Sequence, residues 1–228
     1  GEKHVGGNPA PVTAYGVYCA IRAAVRSRYQ YDSLKGLTVA VQGVGAVGTA
    51  LCVLLHDAGA GIIVTDSEPV RAQELQRAYP DIEIVEPDRI FSVEADIFAP
   101  CAMGAVLDDA TIPLLNTPIV AGAANNQLAA DRHDKMLADY NILYAPDYIA
   151  NAGGLIRVAY EYFARTGQNP FSKDITYNSM MAHVAGIGTT LEDIFRQAND
   201  LRRPTGEIAD KRAEAIFRRT QGRHSAAE

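Results

Sequence analysis

The chain has 228 residues, 48% hydrophobic and 21% charged with 19 Gly and 11 Pro, which suits a globular protein of one large or two small domains. Its net charge of -6 gives no electrostatic footprint for nucleic acid, and no apolar run reaches the roughly eighteen residues of a membrane span. The start does not read as a signal peptide, and three scattered cysteines, Cys19, Cys52 and Cys101, without a CxxC pair fit a reduced, cytoplasmic setting.

The opening GEKHVGGNPAPVTAYG reads as a loop, because Gly6, Gly7, Pro9 and Pro11 postpone a helix until Val12. Thr13 then caps a helix with Val17, Ile21, Ala24 and Val25 on one face, ending near Tyr29. From Leu37 onward, short apolar runs alternate with amphipathic segments. Strands are expected at Thr38 to Val41, Gly61 to Thr65, Ile82 to Val85, Asp96 to Ala99, Ile119 to Ala123 and Ile142 to Ala145. Helices are expected near 46–58, 69–79, 107–115 and 129–140. Beyond Asn151 no strand is expected. GGLIRVAYEYFARTG reads as a helix stopped at Gly167, and two further helices follow, broken by Pro204. This alternation predicts an α/β fold: a Rossmann-like, doubly wound, mostly parallel sheet with extra N- and C-terminal helices. The expected organisation is a loop and helix over 1–36, a dinucleotide-binding core over 37–150, and a helical segment over 151–228 packing on that core. GRHSAAE at the end reads as a frayed tail.

In VQGVGAVG, Gly43, Gly45 and Gly48 form GxGxxG between an expected strand and an expected helix. Gly43 permits the tight turn, Gly45 lets the backbone approach a pyrophosphate, and Gly48 lets the helix pack on the strand. Val44, Ala46 and Val47 complete the loop, and the helix N-terminus would face the phosphates. Asp66 ends the second strand, where a carboxylate accepts hydrogen bonds from an adenosine ribose and repels a 2′-phosphate. No arginine adjoins it in sequence, the nearest downstream being Arg71, so NAD is expected over NADP. The competing reading makes the glycines a plain strand-to-helix turn and Asp66 a cap for the next helix.

Three polar clusters fall at expected strand ends: FAPCAMG (98–104), AGAANNQ (121–127) and YAPDYIANAGG (144–154). Asn125 and Asn126 follow an apolar strand, where each amide offers a donor and an acceptor. Asn151, followed by Gly153 and Gly154, opens a helix with accessible backbone N–H groups. Each asparagine, taken alone, also fits a turn or cap. Cys101 follows Pro100 with no evident base beside it and reads as a packed thiol. The histidines, His4, His56, His133, His183 and His224, show no metal spacing, and His56 is placed on the solvent face of its helix.

Together NPAPVTAYGVY, VAVQGVGAVG, IVTD, DIFAPCA, AGAANNQL and YAPDYIANAGG closely resemble the nicotinamide-binding domain of the glutamate/leucine/phenylalanine/valine dehydrogenase family, leucine and phenylalanine dehydrogenases above all. The likeness runs in order from about Gly6 to Val158 and is loose after Phe171. It implies NAD-dependent oxidative deamination of an L-amino acid: hydride passes to the nicotinamide, and water attacks the resulting imino acid to release ammonia and a 2-oxo acid. It further implies that Gly43, Gly45 and Gly48 meet the pyrophosphate and Asp66 the adenosine ribose. Thr13 would bind the nicotinamide carboxamide, with Cys101 and Ala102 beside the cofactor. Asn125 would lie by the nicotinamide ribose, Asn126 by the substrate carboxylate, and Asn151 would place the nicotinamide end. Leu155 and Val158 match a side-chain pocket suited to an apolar substrate. Arg157 and Tyr160 depart from the family's smaller or acidic residues and point to an altered pocket.

The resemblance also implies a preceding substrate domain, whose two lysines and aspartate bind the substrate carboxylate and move protons. Of Lys3, Lys35, Lys135, Lys173 and Lys211, none lies in such a motif. No catalytic residue is therefore expected in these 228 residues, and two readings stand. One is the cofactor half of an amino-acid dehydrogenase, as a fragment or one chain of a split enzyme. The other is a non-catalytic NAD-binding or regulatory module derived from the family. The expected partners are an amino acid or 2-oxo acid and either a homo-oligomer or the absent substrate domain, with no metal, nucleic acid or membrane. Without that domain, an apolar face is expected to be exposed around YEYF and SMMAHVAGIG.

Overall fold

Six short strands carry the architecture, the central ones buried along most of their length. The structure, a computed structural model, describes residues 7–171 and 173–224, with side chains through Arg218. Lys3, His4, Gly6 and the last residues of the expected tail lie outside the described residues. In chain order the elements are α1 (Ala10–Tyr29), β1 (Thr38–Gln42), α2 (Ala46–Asp57), β2 (Gly61–Thr65), α3 (Pro69–Ala78), β3 (Glu83–Ile84), β4 (Ile97–Pro100), β5 (Ile119–Val120), α4 (Arg132–Asp139), β6 (Leu143–Tyr144), α5 (Asp147–Ala150), α6 (Gly153–Thr166), α7 (Tyr177–Leu201) and α8 (Thr205–His224). The strand order is β3-β2-β1-β4-β5-β6, and all five pairings are parallel.

Side-chain alternation assigns the two faces. Val39, Val41, Ile97, Ala99 and Ile119 point into one core with Leu51 and Leu55 of α2, Leu75 of α3, and the buried stripes of α1 and α7. Ala40, Phe98 and Val120 point the other way, packing with Ile90, Ile112 and Leu137 of α4. The sheet is thus doubly wound, its two halves diverging between β1 and β4, where such sheets bind ligands outside their carboxyl ends. Among the described residues no helix is long and apolar enough to cross a membrane.

Several local expectations are corrected. The first helix starts at Ala10, since Pro11 sits in its first turn, where a missing N–H costs nothing. Thr13 is therefore no cap; the Asn8 side chain accepts the Ala10 N–H at 3.0 Å instead. The segment 107–115 forms only a single tight turn at Ile112–Leu114. Asp108 there accepts the N–H groups of Ala110 and Thr111, and the Thr111 hydroxyl donates to the Val106 carbonyl, so side chains take the backbone partners a helix needs. His56 is half-buried rather than on an open face, with Nε2 3.3 Å from Asp81 and its ring 4.7 Å from that of Tyr79.

The apolar face expected around SMMAHVAGIG is used internally. Met180, Val184 and Ile187 are buried with α1, and Gly188 lets α7 approach the Cys19 carbonyl. Of YEYF, Tyr160 is buried and Tyr162 exposed. At the far end of the sheet the Thr205 hydroxyl donates to the Tyr144 carbonyl at 2.7 Å, and Asp134 accepts the Glu207 N–H at 3.1 Å, tying α8 to α4 and β6.

Burial raises the Asp134 carboxyl above its ordinary value, against the pull of the α8 N–H groups. A carboxyl with a folded-state value above its unfolded one binds more protons when native, so its contribution to stability falls as pH rises through that interval. Asp134→Asn lacks this term. Stability of the natural chain relative to Asp134→Asn is expected to decline as pH rises above the ordinary carboxylate range of about 4, as read by urea unfolding at a series of pH values; a flat or rising difference would sink the assignment.

Candidate functional site

The glycine loop lies at the divergence point. Gly43, with φ 95, turns the chain out of β1, and its N–H donates to the Thr65 carbonyl at 2.8 Å. A side chain there would press on Ala102, and one at Gly48 would overlap the Gly43 carbonyl oxygen. The glycines thereby let α2 sit directly on the strand end. Nothing lies within 4 Å of where a Gly45 side chain would project, which leaves the loop open to a ligand's approach. No side chain caps α2, so its first-turn N–H groups and positive dipole end face outward unneutralised. Val44 is buried, Ala46 exposed and Val47 half-buried, and the Thr49 hydroxyl braces the loop by donating to the Val44 carbonyl at 2.7 Å.

Asp66 closes the β2 side. Its Oδ2 accepts the Val44 N–H at 2.8 Å and its Oδ1 the Glu68 N–H at 2.9 Å. The second bond turns the chain toward α3 but does not cap it, since no side chain caps that helix, so the structure does not show the capping role weighed for Asp66. The expectation that no arginine adjoins Asp66 is overturned: one turn of α3 carries Arg71 Nη1 to 3.5 Å from Asp66 Oδ1.

On the β4 and β5 side, the loop after Pro100 places Ala102 against Gly43, and the Cys101 N–H donates to the Gln42 carbonyl at 2.7 Å. Burial pushes the Cys101 thiol up to about 12, which fits a packed sulfur and not a nucleophile. Asn125 and Asn126 are exposed on the next loop, Asn126 with φ 51. The Asn126 carbonyl accepts the Ala105 N–H at 2.6 Å, which joins the two loops. Asn151 Nδ2 donates to Asn125 Oδ1 at 2.6 Å.

Gly153 and Gly154 have a use the sequence reading missed. A side chain at Gly153 would overlap the Val12 carbonyl oxygen, and one at Gly154 would lie 2.7 Å from Thr13 Oγ1. They admit the start of α6 against α1 and so bring Thr13 to the first turn of α6. Leu155 and Val158 project outward from α6, 73% and 58% exposed. Arg157 and Tyr160 turn the other way and are buried. Tyr160 stacks on Phe171 at 4.3 Å, and Arg157 lies beside Gly7. The expectation that these two alter the pocket wall is thus corrected, because helical spacing puts them opposite Leu155 and Val158.

Two positioning residues escaped the sequence reading. Gln127 is fully buried, with Nε2 donating to the carbonyls of Gly122 and Ala124. Its N–H donates to Asp147 Oδ2 at 2.7 Å. They fix the turn that holds out Asn125 and Asn126. The only sequence signal was a polar pair inside otherwise apolar strand ends.

Asp66, Val44, Gly43, Ala102, Asn125 and Asn151 therefore follow the strand order β2-β1-β4-β5-β6 as a row along the carboxyl edge of the sheet, with Thr13 beside Gly154 at its far end; Asp66 is bonded to Val44, Ala102 lies against Gly43, and Asn151 is bonded to Asn125. None of them lines the cavity of about 930 Å³ between α1, α4 and α7, whose walls include Arg26, Arg28 and Glu192.

The family model for glutamate/leucine/phenylalanine/valine dehydrogenases matches residues 8–74 and 68–205. The chain belongs to this family. It is 45% identical over 210 residues to a leucine dehydrogenase of Thermoactinomyces intermedius, covering 91% of this chain and 54% of that one. It is 43% identical over 215 residues to an L-tryptophan dehydrogenase of Nostoc punctiforme, covering 94% and 58%. The crystal structure of L-tryptophan dehydrogenase from Nostoc punctiforme superposes with a TM-score of 0.85 at 42% identity, covering 94% of this chain and 62% of that chain. The chain thus spans a little over half the length of the curated relatives it matches.

Burial raises the thiols of Cys19 and Cys52 as well as Cys101. Native protein at pH 8 is expected to resist iodoacetamide at all three cysteines for many minutes, and the urea-unfolded chain to label at all three by mass spectrometry. Rapid native labelling at Cys101 would restore it as a reactive group.

Proposed function

We propose that the row along the sheet edge holds NAD and that this chain is the cofactor-binding part of an L-amino-acid dehydrogenase. The reaction is the reversible oxidative deamination of an apolar L-amino acid to a 2-oxo acid and ammonia. The observation that carries this reading is the order of these groups along the strand ends β2-β1-β4-β5-β6. An uncapped helix end with open space at Gly45 and a fixed carboxylate at Asp66 lie at one end, with paired amides at Asn125 and Asn151 and a hydroxyl at Thr13 at the other. These are the donors and acceptors a dinucleotide needs, in the order it needs them.

Bound there, NAD supplies the acceptor for hydride leaving the substrate's α-carbon. The residues of this chain bind and orient. The first turn of α2, with Gly43, Gly45 and Gly48, donates to the pyrophosphate, and Asp66 accepts from the adenosine ribose. Asn125 with Asn151, and Thr13, hold the nicotinamide end, and Asn126 addresses the substrate carboxylate. Leu155 and Val158 form an apolar wall that excludes water and favours an apolar side chain. The names of the leucine and tryptophan dehydrogenase relatives support that class of substrate.

Proton transfer is assigned to groups outside these 228 residues. Of the described lysines, Lys135 is paired with Asp139 and Lys211 with Glu207, each at 2.6 Å, Lys35 lies beside Gly59, and Lys173 is exposed in the loop before α7. Further copies of the chain, in a homo-oligomer, are the remaining partner in this reading.

Two measurements test it. The 228-residue chain is expected to bind NADH in a fluorescence titration yet show negligible NAD reduction with leucine, valine, phenylalanine or tryptophan at alkaline pH. Asp66→Ala, which removes a charge-assisted acceptor, is expected to weaken NADH binding about ten-fold or more. Robust turnover by this chain would refute the assignment of proton transfer elsewhere. Unchanged affinity in Asp66→Ala would return Asp66 to a purely structural role.

A further inference from the structure

Resting on the reading that the row holds a nicotinamide dinucleotide, we propose that Arg71 is a specificity-determining residue. It forms a subsite for a 2′-phosphate beside the ribose position that Asp66 defines, so that the chain accepts the phosphorylated dinucleotide as well as the plain one. A carboxylate at the end of β2 by itself repels a 2′-phosphate, which would add nearly two negative charges within contact range. Here that carboxylate is not by itself. Both of its oxygens are already engaged by backbone donors, Val44 N–H at 2.8 Å and Glu68 N–H at 2.9 Å, and the Arg71 guanidinium lies 3.5 Å from Oδ1.

The two partners are unequally placed. The Asp66 side chain is only 5% exposed, whereas that of Arg71 is 53% exposed. The carboxylate is held by the fold, while the guanidinium sits on a long stem at the surface, tied by one contact that is loose for an ion pair. Such a contact is cheaply exchanged. A 2′-phosphate arriving at the ribose position would meet a planar fork of N–H donors suited to phosphate oxygens, already within one side-chain length. With the plain dinucleotide, the same guanidinium remains on Asp66 and the ribose hydroxyls donate to the free lone pairs of the carboxylate. Arg71 thus softens the discrimination that Asp66 imposes without removing the acceptor that binds the ribose.

The test is a pair of fluorescence titrations, NADH and NADPH, on the full 228-residue chain and on Arg71→Ala and Arg71→Lys. The exposed position of Arg71 leaves the fold intact in either variant, which circular dichroism verifies. Arg71→Ala is expected to weaken NADPH about ten-fold or more and NADH by less than about two-fold, with Arg71→Lys in between because an ammonium lacks the fork. NADPH binding by the unaltered chain is also expected to fall more steeply with added salt than NADH binding. Binding of NADH with an NADH-to-NADPH ratio that Arg71→Ala does not move overturns the role of Arg71 and leaves the reading of the groove standing. If the unaltered chain binds neither dinucleotide, the reading of the groove falls and the role of Arg71 falls with it.

Discussion

The seat of α2 on the end of β1 is the contact from which the site's geometry follows. Only hydrogen atoms fit between the Gly48 Cα and the Gly43 carbonyl, and this closeness sets the direction in which the helix leaves the sheet. Because β1 is flanked by β2 and β4, whatever is built on its end is flanked by the ends of those strands too. Asp66 reaches the loop from one side and Ala102 from the other, so a single junction is held by three strands. The helix dipole then emerges at the point where the two halves of the sheet diverge, and that is why the open space at Gly45 lies there.

A second close approach has the same character at the other end of the row. Gly153 and Gly154 admit the start of α6 against α1, and α7 covers α1 from behind with Met180, Val184 and Ile187. The helices outside the sheet therefore position Thr13 against Gly154 at the start of α6. Once α6 is fixed in this way, its rotation is settled by Arg157 and Tyr160, which turn inward. Leu155 and Val158 are left outward as a consequence of helical spacing.

Much of this was legible in the sequence where one physical signal dominated. β1 and β2 are short, apolar and bounded by turn residues, and their observed ends fall within a residue of those expected. GxGxxG carried the strand–turn–helix junction because Gly43 and Gly48 are each required by a contact with backbone or a neighbouring loop, while Gly45 faces open space. The sequence was silent where side chains compete with backbone or where distance along the chain misleads. At 107–115 the apolar spacing suits a helix, yet Asp108 and Thr111 take the local donors and acceptors. Arg71 is five positions beyond Asp66, too far to count as adjacent in a strand, but the turn into α3 folds it back. Asp147 and Gln127 meet across 20 positions, a pairing that no local pattern encodes.

Asp66 also bears on how an acidic residue at the end of a second strand is to be understood. Its carboxylate is held by two backbone N–H groups, so it holds its place whether or not a ribose is present and spends no ordering entropy on binding. That fixity makes it a good acceptor but a poor discriminator, because a rigid, partly neutralised charge repels a phosphate less than a free one does. Selectivity between ribose forms then falls to the mobile group beside it. In the proposed reading, a buried acid next to an exposed base separates the two tasks, one residue binding the ribose and the other setting tolerance for what the ribose carries. In that reading a change at Asp66 removes the acceptor shared by both dinucleotides together with the repulsion of a 2′-phosphate, whereas a change at Arg71 alters their ratio alone.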